Sequence, residues 1–149
     1  MRSISLGLIG LLVACGGAEE APRADTTAAA VAAPVGVDLA SLAGTWTLRT
    51  TPDGQDTVIT SELVLTGTTE GWTMTMPGRD PVPVRVRVDG DSIMTETGPF
   101  PSALRAGATV TTNAVYRVEG DKLVGTLTAH YEGTAADSLL TGRQEATRR

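Results

Sequence analysis

Cysteine, histidine, lysine and phenylalanine each occur once in this chain of 149 residues. One cysteine cannot form an internal disulfide, and one histidine beside it cannot supply a typical zinc site. Aromatic residues are scarce. Trp46, Trp72, Phe100, Tyr116 and Tyr131 make up 3% of the chain, so apolar burial must come mostly from Val, Leu, Ile and Met. Positive charge is also in short supply. Twelve Lys and Arg face 17 Asp and Glu, for a formal net charge of −5. That balance excludes the basic face that binding to nucleic-acid phosphates requires. No Gly-rich phosphate loop appears, and no Gly-x-Ser-x-Gly elbow supports a nucleophilic serine. The expectation is one domain, non-enzymatic, with no metal and no cofactor.

What is present is sharpest at the N-terminus. Arg2 gives a short positive region, and an apolar run from Ile4 to Val13 follows, interrupted only by Ser5 and two glycines. At about 1.5 Å per residue such a run is too short for a bilayer core of about 30 Å. It is long enough for a secretory signal. Leu12-Val13-Ala14-Cys15 resembles the lipobox of bacterial lipoproteins. The resemblance implies cleavage after residue 14, a diacylglyceryl group on the Cys15 thiol and acylation of the new amine. Two or more acyl chains anchor a protein stably, since each buried CH₂ contributes about 0.8 kcal/mol. Gly16, not Asp, follows the cysteine. In that family's sorting logic this implies the outer membrane, with the chain facing the periplasm and the bilayer as its partner.

Residues 15–36 are expected to be a disordered tether. They are rich in Ala, Gly, Pro and Thr and hold no large apolar residue beyond Val31 and Val35. Too little surface is available there to offset the loss of chain entropy.

Residues 37–149 read as an all-β domain. Trp72, Met74 and Met76 share one parity, Val82, Val84, Val86 and Val88 another run, and Leu123, Leu127 and Tyr131 a third. Such period-two alternation marks half-buried strands. Pro52-Asp53-Gly54, Pro77-Gly78-Arg79-Asp80, Asp89-Gly90-Asp91 and Glu119-Gly120-Asp121 are turn signals between the runs. Eight strands are predicted, near 44–51, 57–67, 71–77, 81–88, 92–98, 108–118, 122–132 and 138–147. A short helical turn is predicted at 38–43. Connections this short do not permit parallel pairing. The expected fold is an eight-stranded antiparallel up-and-down barrel, with a two-sheet β-sandwich as the alternative.

Leu42-Ala43-Gly44-Thr45-Trp46 resembles the Gly-x-Trp opening of lipocalins and avidin-like barrels. The resemblance implies that Trp46 plugs a closed barrel end and that an arginine of the last strand, Arg143 or Arg148, stacks on it. The second lipocalin motif and the usual disulfide are absent.

The remaining chemistry is sparse. His130 has the parity opposite to Leu127 and Tyr131, which predicts an outward side chain. Asp89-Gly90-Asp91 lacks the further oxygens of a calcium loop and reads as a hairpin turn. Arg85 and Arg87 alternate with valines and read as a solvated outer face. The longest predicted connection, 98–107, carries Phe100 and Leu104 and has the makings of a lid. A small, largely apolar ligand is therefore expected in the barrel mouth, against Trp72, Met74, Met76, Phe100 and Leu104. The alternative is a module that binds another envelope protein with the barrel exterior. A hydrolase built on His130 is the third reading.

Overall fold

Alternation along each strand sends one set of side chains to a common interior. In the computed structural model, which describes residues 36–133 and 138–149, these strands close on themselves. They are β1 (Gly44–Pro52), β2 (Ile59–Leu65), β3 (Trp72–Thr75), β4 (Val82–Asp89), β5 (Ser92–Pro101), β6 (Thr109–Glu119), β7 (Lys122–Tyr131) and β8 (Leu139–Arg148). Each pairs antiparallel with the next, and β8 returns to β1, with Trp46 opposite Arg148 and Pro52 opposite Gly142. That last pairing decides between the two expected architectures: the fold is a closed up-and-down barrel, not a sandwich. Cys15, the predicted signal segment and the predicted tether up to residue 35 lie outside the described residues.

Up-and-down order places the connections at two ends. The β2–β3, β4–β5 and β6–β7 turns share one end with α1 (Leu39–Leu42). Asp38 caps α1, its carboxylate accepting from the Ala40 N–H at 3.0 Å. The Val37 N–H donates to the Gly90 carbonyl at 3.2 Å and ties the start of the domain to the β4–β5 turn. The other four connections form the opposite end.

The interior is filled mainly by aliphatic side chains. Leu48, Ile93 and Leu123 are fully buried, and each such residue contributes about 1.5–3 kcal/mol relative to exposure. Gly125 has a packing reason. A Cβ at that position would press into the Val115 carbonyl and come within 2.8 Å of the Tyr116 ring.

Most predicted strand bounds shift by a residue or two, and the shifts in β3 and β5 bear on the open end. β3 is only four residues long and pairs with β2 at Glu62, Leu63 and Val64 alone. The open-end part of β2, from Ile59 to Ser61, therefore has no β3 partner. β5 runs past the predicted stop at 98 because the register shifts between Thr97 and Phe100. Phe100 then pairs with Val110, and the connection shrinks to residues 102–108.

Candidate functional site

The two ends of the barrel are built differently. At the α1 end, Trp46 is 1% exposed, and its indole N–H donates to the Leu42 carbonyl at 2.9 Å. Arg148 lies over the Trp46 ring at 4.8 Å and donates to the Ala43 carbonyl at 2.8 Å and the Ser41 carbonyl at 2.6 Å. Gly44 makes this approach possible. Its φ is +140°, and a Cβ there would sit 3.3 Å from the guanidinium. Arg143, the other arginine considered from sequence, has the opposite parity and is exposed on the outer wall, opposite Thr51 and Thr126.

Trp72 belongs to this closed end as well. β3 starts there, so its first residue packs below the barrel centre, and its indole N–H donates to the Thr68 carbonyl at 2.7 Å. Trp72 is therefore not brought together with the other four ligand candidates. Met74, Met76, Phe100 and Leu104 do come together, around a cavity of about 70 Å³ at the opposite end. A further void of about 10 Å³ lies deeper along the axis and shares Met74, Thr112, Leu127 and Gln144 with the first. Typical small-molecule sites are about 300–1,000 Å³. This mouth admits a slender group, not a large ligand.

The β5–β6 connection forms one wall of the mouth and is held from several sides. The Ser102 hydroxyl accepts from the Leu104 and Arg105 N–H groups at 3.1 Å each. The Ser102 N–H donates to the Ala108 carbonyl at 2.8 Å. Arg79, from the β3–β4 connection, donates to the carbonyls of Pro101 and Ser102. Arg105 stacks over the Tyr131 ring at 4.1 Å. The connection is a fastened wall.

The floor of the mouth is polar, which the sequence reading missed. Gln144 is 5% exposed and points inward from β8. Its amide oxygen accepts from the Tyr116 hydroxyl, and its amide nitrogen donates to the Thr50 hydroxyl at 2.8 Å. Burial pushes the Tyr116 phenol above its ordinary pKa, against a smaller lowering effect from a hydrogen bond to the Thr95 side chain. Ser61 also lines the mouth, is 6% exposed, and has no hydrogen-bond partner among the described residues. The missed signal was parity. Leu140, Gln144 and Ala146 share one face of β8, so a glutamine in that row had to face the interior.

Other candidates stand elsewhere. His130 is exposed, opposite Thr111 and Leu139 in register. Arg85 pairs with Glu96 on the outer wall. Among the described residues, no group of three or more His, Cys, Asp or Glu side chains is placed to hold a metal ion. No helix among those residues is long and apolar enough to cross a membrane. Comparison with known proteins brings no match to a family model, to a curated protein or to a solved structure.

Proposed function

We propose that this chain is a non-enzymatic, lipid-anchored envelope protein whose barrel takes a small, largely apolar ligand at its open end. The observation that carries the binding half is the contrast between the ends. One is plugged by Trp46, Trp72 and Leu42, while Met74, Met76, Phe100 and Leu104 surround a cavity at the other. Met and aromatic side chains make adaptable apolar walls. The anchoring half rests on the lipobox-like Leu12-Val13-Ala14-Cys15. The Gly44–Trp46–Arg148 arrangement supports a lipocalin-like reading of the barrel.

Native mass spectrometry of the protein extracted gently from membranes tests both halves. The expected result is a chain starting at Cys15, carrying acyl mass, with a retained small ligand released on activation. A chain that keeps residues 1–14 and carries no acyl group overturns the anchoring half. In cells, Cys15→Ala is expected to move the protein to the soluble fraction.

The second reading, an interaction module, has one observation in its favour. Met94 and Val115 face each other on the outer wall of β5 and β6 and are both exposed. Two exposed apolar side chains are ordinary for a protein surface, so the mouth is the stronger site.

A further inference from the structure

The mouth is apolar on its walls. Among the described residues that line it, none is Asp, Glu, Lys, Arg or His. Its floor nevertheless presents hydrogen-bonding groups. Gln144 uses one amide hydrogen on Thr50 and one oxygen lone pair on Tyr116, and a primary amide has a second of each. Ser61, a 6% exposed residue whose hydroxyl has no partner among the described residues, lines the same cavity. That hydroxyl keeps some contact with solvent at the open end, and a polar guest replaces that contact with a hydrogen bond. A charged guest loses its hydration here and meets no countercharge among the described lining residues.

Resting on the apolar-ligand reading above, we propose that the mouth selects a slender, uncharged amphiphile and binds it head-first. A hydroxyl or carbonyl head meets Ser61 and the spare groups of Gln144. The hydrocarbon body lies between Met74 and Met76 on one side and Phe100 and Leu104 on the other. The opposite orientation, with a carboxylate at the rim, would place the head near Arg105 where it covers Tyr131.

The test uses the full chain in lipid nanodiscs with ¹³C-labelled methionine methyls. Met74 and Met76 report on the mouth, and Met94 on the outer wall serves as an internal control. The probes are hexanol, hexane, hexanoate and hexylammonium. Hexanol is expected to shift the Met74 and Met76 methyls, leave Met94 in place, and bind at least about tenfold more tightly than the other three. Ser61→Ala is expected to cut the preference for hexanol over hexane by about fivefold, the net worth of one hydrogen bond. Ser61 donates to no other described residue, so this change leaves the barrel's own bonds in place.

Equal binding of hexanol and hexane, or an unchanged preference in Ser61→Ala, overturns the head-first inference and leaves the apolar-ligand reading standing. Tighter binding of hexanoate reverses the orientation and also overturns it. If no probe moves Met74 or Met76 at saturation, the ligand reading fails together with the inference.

Discussion

Arg148 ties the plugged end together by three contacts, one over the Trp46 ring and two to the carbonyls of Ser41 and Ala43. Arg148→Ala is expected to cost about 2 kcal/mol, combining a cation–π contact with charge-assisted hydrogen bonds. Arg143→Ala, on the solvated outer wall, is expected to stay within about 0.5 kcal/mol of the parent. Urea unfolding of the two variants separates them, and equal losses would remove the plug role of Arg148. Gly125→Ala is expected to be more damaging than its single added methyl implies, because that methyl meets backbone and the Tyr116 ring. Overpacking of this kind costs about 1–3 kcal/mol or more. At this scale the sequence was partly legible. Two arginines of the last strand were visible as partners for Trp46, but choosing between them needed the register that sets Arg148 opposite Trp46. The demand at Gly125 was invisible, since it comes from the neighbouring strand.

The β5–β6 connection, residues 102–108, shows what an element adds to its residues. Its Ser102 hydroxyl satisfies two backbone N–H groups, and Arg79 holds two of its carbonyls from another connection. Ser102→Ala leaves those N–H groups without their acceptor and is expected to cost about 1–2 kcal/mol. Its clearest readout is hydrogen exchange, with the amides of Leu104 and Arg105 exchanging faster while β6 and β7 stay protected. Unchanged exchange at 104 and 105 would show that the loop is held by something else. All eight strands were legible from parity and turn residues, because alternation is a local pattern. The extension of β5 was not. Gly98 and Pro99 read as a stop, yet a register shift lets Phe100 and Pro101 pair again with Val110 and Thr109. The placement of Trp72 was hidden for a related reason. Parity gives the face of a strand, and only the run of the chain between the two ends says which end a residue reaches.

At the scale of the whole molecule, closure puts polar groups from separate strands into one interior network. Tyr116 on β6, Gln144 on β8 and Thr50 on β1 are joined by side-chain hydrogen bonds, and Thr95 on β5 lines the same small void as Tyr116. Sequence separation hides such a network, and only the closed topology assembles it. It also sets a pH dependence for the barrel. Burial raises the Tyr116 phenol above its ordinary value of about 10. As pH rises through about 10, the unfolded chain releases this proton while the folded barrel retains it. The unfolded state then binds fewer protons, so stability falls with pH at up to about 1.4 kcal/mol per unit from this one group. Below about pH 10 its contribution is fully present. Tyr116→Phe removes the titration and leaves the Gln144 oxygen short of a donor, at a cost of about 1–2 kcal/mol. The variant is therefore expected to be the weaker protein at about pH 8 and to lose less stability between there and about pH 11. Urea unfolding of both proteins across that range tests the argument: converging curves support a buried, neutral phenol at the heart of the barrel, and parallel curves show that Tyr116 titrates alike in the folded and unfolded chains.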